Sequence, residues 1–273
     1  GGLGNDIYAF AAGDGQDRIS DSGGSHTLEF GAGVDPGSVA LYYTGTTDSR
    51  FRLEYGPGDS IVSLGNFSSY WINGITVGGN EIPLVQRSDI ADGTFRDTRW
   101  DDVFEPGGGN DTIHVNGWGD DVFRFAAGDG HNLILVDNNY YPEHMGEIRL
   151  ARDIDLQSLA FRFDNGSAVL SYGPGDEARF EPDKLYSARD NTFARFTLVS
   201  EADPDWLPVI RPEAPGSTVY GSFGTDHIVG MAGDETILPG YGDDVVEAGD
   251  GADRVVLNDV YSYQVKEGIG HKD

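Results

Sequence analysis

Apolar and polar residues alternate with a period of two along much of this chain. HTLEF (26–30), VALYY (39–43), RFRLEY (50–55) and SIVSL (60–64) each put apolar side chains on one face and polar ones on the other. That is the pattern of half-buried strands. YGPGD at 55–59 and again at 172–176 is a turn signal between two such runs. ARDIDLQSLA (151–160) is the nearest approach to an amphipathic helix. The patterning therefore predicts an all-β protein.

A second pattern, of period nine, overlies the first. Residues 221–256 divide into GSFGTDHIV, GMAGDETIL, PGYGDDVVE and AGDGADRVV. Glycine is fourth in each unit (Gly224, Gly233, Gly242, Gly251). An acid is sixth (Asp226, Glu235, Asp244, Asp253), and an aliphatic residue is eighth (Ile228, Ile237, Val246, Val255). GGLGNDIYA supplies Gly4, Asp6 and Tyr8, and Gly15, Asp17 and Ile19 follow after a short insertion. In the middle, PGGGNDTIH supplies Gly109, Asp111 and Ile113, and NGWGDDVFR supplies Gly119, Asp121 and Phe123. Two units are worn: Gly130, Asn132 and Ile134 carry an amide in the acid position, and WDDVF (Asp102, Phe104) lacks its glycines.

A longer repeat encloses these. DIYAFAAGDGQDRI (6–19) matches DVFRFAAGDGHNLI (121–134), SVALYY (38–43) echoes SLAFRF (158–163), and EYGPGDSIV (54–62) echoes SYGPGDEARF (171–180). The chain accordingly divides at 1–22, 23–96, 97–136, 137–215 and 216–273, three repeat blocks separated by two strand-rich segments. EADPDWLPVIRPEAP reads as a proline-rich linker before the last block.

Composition narrows the function. With 18 Lys+Arg against 46 Asp+Glu, the net charge of −28 opposes binding to nucleic acid or an anionic membrane. Hydrophobic residues at 38% and aromatics at 11% are enough for a core, which argues against a disordered acidic chain. Forty glycines call for repeated tight turns. Without cysteine there is no disulfide or thiolate metal site. No apolar run reaches the roughly 18 residues of a membrane-spanning helix. The chain opens inside a repeat, GGLGND, as a piece cut from a longer protein would.

The GGxGxDxUx pattern resembles the calcium repeat of the RTX (repeats-in-toxin), haemolysin-type family. The resemblance implies parallel β-roll blocks, interleaved here with antiparallel, β-sandwich-like segments that cap them. It implies calcium as the cofactor, bound between successive turns by the position-six acids and the carbonyls of the glycine turns. The implied metal residues are Gly4, Asp6, Asp17, Gly109, Asp111, Gly119, Asp121, Gly224, Asp226, Gly233, Glu235, Gly242, Asp244, Gly251 and Asp253. The most regular sites are expected in the last block. A secreted, extracellular calcium-binding module without enzymatic activity is expected, unfolded in calcium-poor cytosol and folded after export. It would scaffold a larger toxin, adhesin or hydrolase.

Two other functions are compatible with the chain. A carbohydrate- or surface-binding module would use Trp118, on a repeat turn, whereas Trp71, Trp100 and Trp206 read as filling between strand layers. A calcium-triggered self-cleavage module would use Asp35-Pro36 or Asp203-Pro204. No nucleophile motif, P-loop or HExxH is present. The six histidines (His26, His114, His131, His144, His227, His271) read as surface or turn residues.

Overall fold

The computed structural model describes residues 1–43, 51–65, 71–115, 119–137, 146–164, 167–183, 196–212, 214–257 and 266–267. Among these the chain is built from strands in mixed parallel and antiparallel sheets, with one short 3-10 turn at Pro36–Ser38 and no α-helix. ARDIDLQSLA forms turns instead. Asp155 bonds back to the Gln157 N–H at 3.0 Å, which favours a turn over a helix.

Parallel pairing dominates the repeat blocks. In the last block the strands alternate between two stacks. One holds Val209–Ile210, His227–Val229, Val245–Glu247 and Lys266–Glu267; the other holds Thr218–Tyr220, Thr236–Leu238 and Arg254–Val255. Ile228 faces Val246, and Ile237 faces Val255. Each nonapeptide supplies one strand, so two of them bring the chain back to the same stack eighteen residues on, a separation also spanned by the bond from the Asp226 N–H to Asp244. Val209–Ile210 is therefore the first strand of this stack. The proline-rich segment is not only a linker, because Pro208 and Pro212 flank the paired residues and leave their N–H groups intact.

The middle follows the same rule. Leu84–Ser88, Asp102–Glu105, Val122–Phe125, Gly146–Leu150 and Phe196–Ser200 lie side by side and parallel in a nine-stranded sheet. Thr94–Arg96, Thr112–Val115, His131–Asp137 and Asp176–Asp183 do so in a six-stranded one. Antiparallel pairing enters where each long repeat inserts a meander. These are Ala40–Tyr43, Phe51–Gly56 and Asp59–Gly65 in the first copy, and Ala160–Asp164, Ser167–Gly173 and Asp176–Asp183 in the second. Beyond them, Ile72–Val77 pairs antiparallel with Asn80–Glu81.

The two copies share their hydrogen bonds as well as their sequence. Asp59 accepts from the Gly13 and Gly15 N–H groups at 2.8 and 2.9 Å. Asp176 accepts from Gly128 and Gly130 at 2.9 and 3.0 Å. Position-eight residues Phe104, Ile113, Phe123, Ile134, Ile228 and Ile237 all point into one continuous core. An aromatic row runs through it: Phe104 stacks on Phe123 at 5.1 Å, and Phe123 meets Phe196 edge-on at 5.4 Å. Trp71, Trp100 and Trp206 pack half-buried against this core, while Trp118 lies outside the described residues.

Candidate metal centre

The parallel register stacks the acid position of one unit over that of the unit two strands earlier, and a ladder results. The Asp226 N–H donates to Asp244 Oδ1 at 2.9 Å, Glu235 N–H to Asp253 Oδ1 at 2.9 Å, and Asp102 N–H to Asp121 Oδ1 at 3.0 Å. On the other side of the middle block, Gly93 N–H donates to Asp111 Oδ1 at 2.5 Å, and Asp111 N–H to Asn132 Oδ1 at 3.3 Å. Each side chain satisfies a backbone donor at a strand start. Except at Asp111, which bonds to Gly93, it is thereby held against the acid of the earlier unit.

Two groups bring one ligand atom from each of three side chains within 4.8 Å of one another: Asp97, Asp102 and Asp121, all buried, and Asp6, Asp21 and His26. Asp102 Oδ2 accepts from the Thr98 N–H at 2.8 Å and its hydroxyl at 2.9 Å, and Oδ1 accepts from Gln86 at 2.7 Å. Burial still pushes the Asp102 carboxyl up to about 7 against those bonds. Burial, then the charges of Asp97 and Asp102, raise Asp121 well above the carboxylate range. Asp121 Oδ2 is buried without a hydrogen-bond partner.

The last block repeats this arrangement. Ser222 donates to Asp226 from its N–H at 2.6 Å and from its hydroxyl at 3.0 Å, as Thr98 does to Asp102. Burial pushes Asp226 up to about 7, and burial with neighbouring Asp243 pushes Asp244 up to about 6. Asp244 Oδ2 is also buried and unpartnered. Stacked buried carboxylates with spare oxygens demand either protons or a cation. An all-oxygen, multiply anionic donor set suits a hard divalent ion.

The expected residues fare unequally. Asp111, Asp121, Asp226, Glu235 and Asp244 are buried, as is Asp102 of the worn unit, while Asp253 at the last described rung is half-buried. Asp17 lies within the strand Gln16–Asp21 and faces Ile61, so no acid stands across from it. Several turn carbonyls are engaged between turns: Gly109 O accepts from the His131 N–H at 3.1 Å. Glycine is needed there because the turns touch. Gly109 has φ +141° and Gly251 has φ +146°, and a side chain on either would strike the carbonyl of Ala91 or Gly233. Gly119 and Gly242 approach the turns below them in the same way, Gly224 and Gly233 keep negative φ, and Gly4 has open space beside it.

Two features escaped the sequence reading. Asp97 joins the cluster of Asp121 and the worn unit's Asp102, and the signal available for the pairing of those two was their nineteen-residue spacing. His26 is fully buried rather than a surface or turn residue. It begins the strand His26–Phe30, and its Nδ1 accepts from the Asp6 N–H at 3.2 Å. Its Nε2 lies 3.6 Å from Asp21 Oδ2. Burial opposes charge on Asp21, yet the Tyr8 hydroxyl, the Gly23 N–H and the facing imidazole hold its carboxyl below the usual range. His144 and His271 lie outside the described residues, and His131 and His227 stand at the surface beside Glu177 and Glu247.

No family model matches the chain, and no curated protein matches it. None of the described helices is long and apolar enough to cross a membrane.

Proposed function

We propose that this chain is a calcium-binding β-roll module of a secreted bacterial protein of the RTX type, folding on calcium after export and scaffolding a larger polypeptide. One observation carries the reading. Acids spaced by the repeat are stacked and buried in the ladder, and Asp97, Asp102 and Asp121 meet within 4.8 Å with an oxygen of Asp121 to spare. A buried like-charged pair disfavours its own ionised form. A bound divalent cation reverses that sign. The residues present fit the ion, since carboxylates of Asp102, Asp121, Asp226 and Asp244 would hold it and turn carbonyls would complete an oxygen shell.

The energetics support a switch. Extracellular calcium modules have Kd of about 10⁻⁴–10⁻³ M. At ten times Kd each site adds about 1.4 kcal/mol, and several sites together approach the whole stability of a domain. In calcium-poor cytosol that contribution vanishes. The test is circular dichroism and titration calorimetry of the full chain in EGTA, magnesium and calcium. A calcium-specific gain of β signal with two or more ions bound is expected. Full β signal in EGTA with no heat of calcium binding would sink the reading.

A further inference from the structure

We infer that cation binding is confined to ladder rungs where acid is stacked on acid, Asp102–Asp121, Asp226–Asp244 and Glu235–Asp253, and that the rungs Asp6–His26 and Asp111–Asn132 close without metal. This rests on the calcium reading and says where in the molecule it holds.

The argument begins with a unit the sequence hides. DSGGSHTLE (21–29) has glycine fourth at Gly24, histidine sixth, where an acid is expected, at His26, and an aliphatic residue eighth at Leu28. Ile7 pairs with Thr27, so Asp6 stands opposite His26, as Asp226 stands opposite Asp244. The backbone bonds agree. Thr27 N–H reaches Asp6 O at 3.0 Å, as Val245 N–H reaches Asp226 O at 2.8 Å. Ser25 N–H reaches Asn5 Oδ1 at 2.9 Å, as Ala252 N–H reaches Asp234 Oδ1 at 2.8 Å. A side chain on Gly24 would strike the Gly4 carbonyl, as one on Gly242 would strike that of Gly224. His26 is therefore a rung of the same ladder with imidazole in place of carboxylate.

Imidazole changes what the rung can hold. Because Nδ1 accepts the Asp6 N–H, the ring proton of the neutral form sits on Nε2, facing Asp21. Such a ring has no lone pair left for an ion. Asn132 is similarly committed. It is buried, its Oδ1 accepts from Asp111 N–H, and its Nδ2 donates to the Tyr172 hydroxyl at 3.2 Å. Asp111 keeps one buried oxygen without a partner, but it is a single carboxylate between Gly93 and Asn132, and one proton satisfies it. At Asp121 and Asp244 the spare oxygen instead lies beside a second acid. Asp6 Oδ2 is also buried without a partner, and Asp6, Asp21 and His26 bring ligand atoms within 4.8 Å of one another, but there the imidazole faces both carboxylates and offers its Nε2 proton to Asp21 in an ion's place. Acid-on-acid rungs have no such group and are left to a cation.

Hydrogen exchange of the full chain, in calcium and in EGTA, separates the cases. On chelation the amides of His227–Val229 and Val245–Glu247 should exchange at least about tenfold faster, the factor lost with an ion at ten times Kd. Those of Ile7–Phe10 and His26–Phe30 should change little. A uniform loss at every rung overturns this inference and leaves the calcium reading standing. No change anywhere overturns both. His26→Asp should bring chelator sensitivity to His26–Phe30, and insensitivity there would count against the assignment. Should that variant fail to fold, Asn132→Asp should raise the calorimetric stoichiometry by about one calcium. An unchanged stoichiometry overturns the inference.

Discussion

The two copies of the long repeat hold their backbones with the same bonds but meet their neighbours differently. In the first, Asp59 ties Gly13 and Gly15; in the second, Asp176 ties Gly128 and Gly130, with distances matching to about 0.1 Å. Yet the acid that opens the first copy, Asp6, looks onto His26, while its counterpart Asp121 lies against Asp97 and Asp102. The position-eight residue differs too. Tyr8 is half-buried at the outer strand of its sheet, whereas Phe123 is enclosed between Phe104 and Phe196. The fold of a unit is set within the unit. Its charge state and burial are set by what stacks on it.

The largest effect should test burial. Phe123→Ala removes a fully enclosed ring and should cost about 4 kcal/mol, while Tyr8→Ala should cost less than half of that. Urea denaturation of both variants measures the difference, and equal losses would mean that the outer strand is as well packed as the inner one. Next comes the shared clamp. Asp59→Ala and Asp176→Ala each strand two backbone N–H groups, for about 3 kcal/mol. The two losses should agree within about 1 kcal/mol, and a large inequality would break the equivalence of the copies. A smaller effect separates Gly130 from Gly15. Both have positive φ, so alanine costs about 1 kcal/mol at either. Only at Gly130 would the new methyl also strike a carbonyl, that of Gly109, which should add about 2 kcal/mol.

These contrasts show what sequence could and could not carry. Strand content, the nine-residue period of the last block and the duplication were legible, because glycine, acid and aliphatic positions recur in register there. His26 was not, since its unit keeps the glycine and the leucine but loses the acid that advertises the motif. Asp97 was not, because it sits outside the repeat position and joins the cluster only through the fold. Nor could the worn sequence around Asp102 reveal that its carboxylate is fully buried. That follows from the strands Leu84–Ser88 and Val122–Phe125 flanking it in the sheet.

The last prediction turns the ladder contrast into a pH dependence. In EGTA, burial holds Asp226 near 7 and Asp244 near 6 in the folded chain, above the value of 3.8 for an unfolded aspartate. The folded state then binds more protons than the unfolded one between those limits, so stability falls as pH rises. The contribution is complete below about pH 4, falls as pH rises through the folded values of about 6 and 7, and levels off above them. The thermal midpoint of the chelated chain should therefore drop between pH 5 and pH 8. Saturating calcium should reverse the trend, because protons and cation compete for the same oxygens. Asp244→Asn should flatten the chelated profile by removing one member of the stacked pair. A chelated midpoint that holds level from pH 5 to 8 would mean that the stacked carboxylates are neither buried nor paired as the ladder requires.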